Sequence, residues 1–205
     1  MTMSMGGYIM DQNFTLDDFI FKGDVIVGMT RAGKDKVKAE GITEIIIPKE
    51  SPEGVPVRVI GENCFFRRRF ESVVIPETVE EIGYDAFGQN SITEVIIPDS
   101  VKKIAGFAFY RNKLVDVKMS KNVEFIGPSA FALNEIEEIN LPDTLEEIGV
   151  SAFYKNKIQE LKLPESLKKV DMYSFNKNAI MEVKVPSSIE FLHERAFDPT
   201  THVEK

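Results

Sequence analysis

Residues 142–178 read PDTLEEIGVSAFYKNKIQELKLPESLKKVDMYSFNKN, one pattern begun twice: Pro142 and Pro164, Leu145 and Leu167, Phe153 and Phe175, and Asn156 and Asn178 each stand 22 residues apart. Working outward, the proline recurs at Pro76, Pro98 and Pro186, with Ser120 in the one vacant place. The phenylalanine recurs at Phe65, Phe87, Phe109, Phe131 and Phe197, each with a small residue before it, from Cys64 and Ala86 to Ala196. The asparagine recurs at Asn90, Asn112 and Asn134. Three independent columns keep one period, so the chain is an array of seven like units.

A period between 20 and 29 residues marks a leucine-rich solenoid. The unit is close to [IL]-x-[ED]-[VIL]-x-[ILVM]-P-[DE]-[ST]-[VLI]-x-x-I-G-x-x-A-F-x-x-N-x. In IQELKLP at 158–164, Leu161 and Leu163 share one parity and Glu160 and Lys162 the other, which predicts a short strand with leucines inward and charges on an open sheet face. Proline ends that strand because it has no N–H to donate. A second extended segment follows, as in LEEIG at 145–149, and the Ala-Phe pair turns the chain back. A single unit buries too little apolar surface to offset the entropy of ordering its chain, so stability belongs to the stack. The fold class predicted is an α/β repeat solenoid dominated by short parallel strands, a curved right-handed array with a small N-terminal cap.

The ends depart from the period. Residues 1–41 form an extension and cap: 1–13 are expected to be disordered or foreign to the fold, FIF at 19–21 and VIV at 25–27 flank Lys22-Gly23-Asp24 as a hairpin, and RAGKDKVKAEG reads as a helix closed by Gly41. The solenoid is assigned to 42–198, with a first unit of 28 residues between Pro48 and Pro76 that carries an insertion, KESPEGVPV. Residues 199–205 read as a ragged tail.

A formal charge of −8 and 43% hydrophobic residues describe a folded acidic chain without the basic footprint that nucleic acid demands. No apolar run is long enough for a membrane-spanning helix, so no membrane insertion is expected. One cysteine excludes an internal disulfide framework. The start, MTMSMGGYIMDQNF, lacks the apolar stretch of a signal peptide.

The motif P-x-[ST]-[VL]-x-x-I-G-x-x-A-F-x-x-N-x-[IL]-x-x-[VIL]-x-[IL]-P resembles the BspA-type leucine-rich repeat, and EGVPVRVIGENCF at 53–65 is similar to the opening unit of such arrays. The resemblance covers about 42–198 and implies a curved parallel solenoid. It further implies a secreted or surface-attached bacterial protein, with adhesion to matrix proteins or other cells among the family's roles. Departures are Ser120 for proline, Arg68 for asparagine, and Asp171 and His193 for glycine.

No residues assemble into a catalytic set. Cys64 sits in an alanine column and reads as a small core residue. His193 occupies the column of Gly61, Gly83, Gly127 and Gly149, where a positive φ is expected. His202 lies in the tail, and two histidines so placed give no metal-ligand spacing. Neither metal nor cofactor is expected. Asn90, Asn112, Asn134, Asn156 and Asn178 read as a structural ladder satisfying buried backbone groups.

The candidate partner-binding face is the open sheet. One column there holds Glu94, Asp116, Glu138, Glu160 and Glu182, preceded by Glu44 and Ser72, and the next holds Ile46, Val74, Ile96, Lys118, Asn140, Lys162 and Lys184. Diagonal acid–base pairs are expected to offset the repulsion of like charges one rung apart. Seven strands at about 4.8 Å make a surface roughly 30 Å long, suited to a protein or glycan. A second exposed set, including Arg67, Arg69, Arg111, Lys113, Lys155, Lys157 and Lys177 with Tyr110 and Tyr154, forms a basic return edge. After the apolar residue of each unit, Glu80-Glu81, Lys102-Lys103, Glu146-Glu147 and Lys168-Lys169 are expected to face each other in register. The reading is a monomeric, non-enzymatic binding or adhesion module outside the cell, with a passive spacer as the alternative.

Overall fold

The computed structural model describes residues 13–204, so the expectation for the first thirteen lies, Asn13 aside, outside the described residues. Phe19–Lys22 and Val25–Met29 pair antiparallel around Gly23, whose φ of 63° is the left-handed turn that glycine adopts without strain. The helix Arg31–Glu40 follows. The Thr30 hydroxyl accepts from the Gly33 amide at 3.2 Å and caps its start, and Gly41 at φ 65° ends it. Among the described residues this is the only α-helix, so the helical share of the fold is confined to the cap.

The hairpin is built into the array. Val25–Met29 pairs parallel with Val59–Ile60, and from there the ladder runs through Glu81–Ile82, Lys103–Ile104, Phe125–Ile126, Glu147–Ile148 and Lys169–Val170 to Phe191–Leu192. With Phe19–Lys22 at its edge this is one nine-stranded sheet, made from the second extended segment of each unit. Each partner within the repeats is 22 residues away, as in Glu81↔Lys103 and Phe125↔Glu147.

The turn after each of these strands corrects one expectation. Gly61, Gly83, Gly127 and Gly149 do not carry positive φ. They are small because the next rung is close: a Cβ on Gly83 would sit 2.5 Å from the Ile60 carbonyl oxygen, and one on Gly127 the same distance from the Gly106 nitrogen. Left-handed backbone falls two and six residues later, on Asn63, Asp85, Phe107, Ser129, Ser151 and Tyr173, and on Arg67, Gln89, Arg111, Leu133, Lys155 and Lys177. All of these but Lys177 donate their N–H to the next rung, as Phe107 N does to Pro128 O at 2.9 Å and Arg111 N to Ala132 O at 3.0 Å.

The first extended segment behaves differently from the uninterrupted sheet expected of it. Glu44–Ile46 pairs with Ser72–Val74, Glu94–Ile96 with Asp116–Lys118, and Glu138 bridges Glu160 in isolation. Strands of three residues, most of them closed by proline two positions later and one by Ser120, offer only one or two ladder bonds, so a small twist between rungs interrupts the pairing. The tail is not ragged: His202–Glu204 pairs parallel with Glu182–Lys184 and begins an eighth rung, fastened by the Thr201 hydroxyl donating to Ile180 O at 2.8 Å.

One apolar core runs the length of the stack. Phe65, Phe87, Phe109, Phe131, Phe153 and Phe175 are fully buried, and with Phe197 they form a pile whose centroids are 5.2–5.5 Å apart and whose planes close from 14° to 4–6° along the chain. The centroid spacing exceeds the rung rise of about 4.8 Å, so the rings slip sideways into the offset stacking that their quadrupoles favour. Phe131→Ala removes a ring with a neighbour on each side and should cost about 3–5 kcal/mol in urea unfolding; a loss below 1 kcal/mol would mean that the stack closes over the gap.

Candidate functional site

The asparagine column is turned into the solenoid. Asn112 donates to Phe87 O at 2.9 Å and Phe109 O at 3.1 Å while accepting from Ile92 N at 3.1 Å. Asn134, Asn156 and Asn178 repeat the arrangement one rung later each time. Asn90 accepts from both Arg68 N and Phe70 N and donates to Phe65 O and Phe87 O. These residues are spent on the backbone and are not open to a ligand.

A second side-chain ladder escaped the sequence reading although its column was written in the motif. Thr144, Ser166 and Ser188 donate to Val123 O, Leu145 O and Leu167 O at 2.7–2.8 Å. Ser120 fits the proline column through a bond to Val101 O at 2.8 Å and one accepted from Asn122 N at 3.0 Å. At the far end Asp198 accepts from Asn178 N, which gives the last ladder residue a partner.

The predicted face lies on one side of the array. Val74 and Ile96 are 48% and 63% exposed, Ile46 is half-buried, and Lys118, Asn140, Lys162 and Lys184 continue the column in solvent. Glu94, Asp116, Glu138, Glu160 and Glu182 are exposed beside them. Pairing sets Ile46 against Val74, Ile96 against Lys118, and Glu94 against Asp116. Three shallow hollows follow this side: about 490 Å³ between Leu16, Ile46, Pro48, Val74 and Pro76, about 430 Å³ between Val74, Glu94, Ile96 and Lys118, and about 500 Å³ around Glu138, Asn140, Glu160 and Lys162.

The expected neutralising pairs are absent from this face among the described residues. Inter-rung ion pairs stand elsewhere, each joining residues 22 apart: Arg58 with Glu80, Lys103 with Glu81 at 2.9 Å, Lys157 with Glu135 at 2.9 Å, Lys168 with Glu146 at 2.9 Å, and Lys121 with Asp99 at 3.4 Å. Acid meets acid along the open face because its columns repeat in kind from rung to rung. Along the narrow sheet the column runs Glu81, Lys103, Phe125, Glu147, Lys169, a repeat of three, so Glu81 meets Lys103, Glu146 just before its strand meets Lys168, and Lys169 turns to Asp171 at 3.3 Å.

Cys64 is 2% exposed, its thiol donating to Ile26 O at 3.3 Å, and burial pushes its ionisation well above the ordinary thiol range. Among the described residues no group of three or more His, Cys, Asp or Glu is placed to hold a metal ion, and no helix is long and apolar enough to cross a membrane.

With this geometry the family assignment is direct. A model of the BspA type leucine rich repeat region matches residues 58–181 and 125–205 in six copies. The chain belongs to the BspA-type leucine-rich repeat family. Regions of this family are generally protein-interaction or surface modules, and the solenoid is typically a binding scaffold and not a catalytic one. Similar solved structures include a leucine rich cell surface protein from Faecalibacterium prausnitzii, with 19% identity and TM-score 0.53 over 90% of this chain and 66% of that one. The T. pallidum leucine-rich repeat protein matches at 19% identity and TM-score 0.50 over 79% and 63%. The chain thus spans about two thirds of the length of either structure. No curated protein matches the sequence.

Two outcomes check this account. Cys64 should stay unlabelled by a thiol reagent under native conditions and react at once in urea; rapid native labelling would show an opened first rung. Asp85, half-buried with Oδ1 unpartnered, has its carboxyl held above the ordinary range by burial, against the pull of Arg67. A raised folded value means that ionisation weakens the fold as pH rises through it. Asp85→Asn, the residue type that Asn63 brings to the same left-handed column, should therefore raise the urea midpoint at pH 7 and leave it unchanged at pH 3; an equal gain at both would assign the effect to something other than charge.

Proposed function

We propose that this solenoid is a non-enzymatic adhesion or binding module of a bacterial surface or secreted protein, engaging a protein or glycan through its open face. The observation that carries the reading is the apolar strip of Ile46, Val74 and Ile96, which runs into the hollow at Pro48 and Pro76 and is bordered by Glu44, Glu94 and Asp116. Exposed β-branched residues grouped this way supply contact area that gains from leaving water. Among the described residues the bordering carboxylates have no ion-pair partners on the face, so they favour a partner that sets basic groups around an apolar anchor. The lysines farther along give the face two electrostatic halves, which orient an elongated partner.

Adhesion at the cell surface draws on the family and on the surface protein of similar fold. A passive spacer that displays another domain is the second reading, and the regular, self-satisfied repeat favours it. Binding to immobilised extracellular-matrix proteins and to a glycan array separates the two. Val74→Glu with Ile96→Glu should abolish the binding found and leave thermal unfolding within a degree or two because both side chains already face solvent, and raised salt should slow association of the wild type. Wild-type binding by the double variant would transfer the role to the basic edge, and no binding by either protein would favour the spacer.

A further inference from the structure

In the first unit Arg68 stands in the column that asparagine holds in the units after it. Each later asparagine donates to the carbonyl of the phenylalanine three residues before it, as Asn134 does to Phe131 O at 3.0 Å. Phe65 O receives Asn90 of the next rung but no such bond from its own. Arg68 keeps its place in the ladder through its backbone, donating N–H to Asn90 Oδ1 at 2.9 Å, while its side chain turns elsewhere. The guanidinium Nε is buried and, among the described residues, has no hydrogen-bond partner. A charged donor taken out of water without an acceptor is costly, and an acceptor supplied from outside recovers that cost.

Arg68 lines a hollow of about 590 Å³ between the helix and the first turn, together with Lys34, Lys38, Arg67 and Arg69. The one carboxylate lining it, Asp35, pairs with Arg31 at 3.7 Å. Lys34 and Lys38 stand one helical turn apart, where like charges repel. Among the described residues, neither lysine nor Arg68 or Arg69 has an ion-pair partner, while Arg67 is engaged with Gln89 at 2.7 Å and the Phe66 ring and also attracts the Asp85 carboxylate. Five cations thus converge on one hollow in a chain whose net charge is −8.

We propose that this hollow binds an oxyanion of the sulfate or phosphate class, free or carried on a saccharide, with the half-buried Arg68 guanidinium, its Nε enclosed, as the anchor. A planar fork of N–H donors fits two oxygens of such a group at once, and the lysine ammonium groups and Arg69 at the rim add charge without fixing geometry. The volume lies within the range of small-ligand sites and admits a sugar ring beside the anion. The site shares no lining residue with the hollows of the open sheet face, so it stands or falls independently of the function proposed above.

Calorimetric titration of the whole chain at low ionic strength, with chloride as the background anion, tests it using inorganic sulfate, inorganic phosphate and a sulfated disaccharide. Arg68→Asn installs the residue used by the later rungs, so it should fold at least as well as wild type while losing tenfold or more in affinity for all three. Lys34→Gln with Lys38→Gln alters only exposed helix positions and should weaken binding severalfold. Tighter binding of the disaccharide than of either ion would identify a glycan-borne anion, and equal binding a free one. Absence of saturable binding to wild type, or unchanged affinity in Arg68→Asn, would overturn the proposal.

Discussion

A turn folded into a protein interior must find partners for its own peptide groups, and here one asparagine per rung does so for two rungs together. The amide of Asn134 donates to Phe109 O and Phe131 O and accepts from Leu114 N, so each phenylalanine carbonyl inside the array receives two donors, one from its own unit and one from the next. Without that bridge the turns would be left with unsatisfied carbonyls in an apolar setting. With it they approach closely enough for the phenylalanine rings to pile face over face and for the glycine column to touch backbone to backbone. The serine and threonine ladder does the same service on another side. Rung spacing, ring stacking and the two left-handed columns all follow from satisfying these turns.

Much of this was legible in the sequence because a repeat shows the same requirement many times. Phenylalanine seven times at one interval leaves little besides a stacked core, and asparagine at one place in consecutive units points to an inward amide. The helix ending at Gly41 was readable from its punctuation. What escaped was whatever depends on distance between rungs. Glycine at Gly83 and Gly127 satisfies either a positive φ or a close neighbour, and a single sequence does not separate the two; the approach of Ile60 O decides it. The eighth rung was missed because Asp198 and Thr201 break the motif while keeping its hydrogen bonds.

The candidate face was legible only as two columns of outward residues. Alternation placed Val74 and Ile96 in solvent, but the expectation that neighbouring charges neutralise one another treated the face as a flat ladder. Columns that repeat in kind bring Glu94 to Asp116, whereas a column that changes sign from one rung to the next brings Glu81 to Lys103. The first arrangement leaves charge for a partner and the second consumes it internally. That distinction between repetition and change of sign was present in the sequence and needed only the register to be interpreted.

The hairpin at the start has a consequence for the molecule as a particle. A parallel stack is open to indefinite growth, since any rung can receive another of its kind, and exposed parallel edges are where such proteins join into fibres. At the N-terminal end the last strand, Phe19–Lys22, runs opposite to the rest and carries a register irregularity between Ile20 and Phe21. A rung added there would meet a strand of reversed direction with an irregular register, not the parallel ladder of the repeats. Among the described residues, the hairpin thus gives this end of the stack an edge whose direction and register break the parallel repeat.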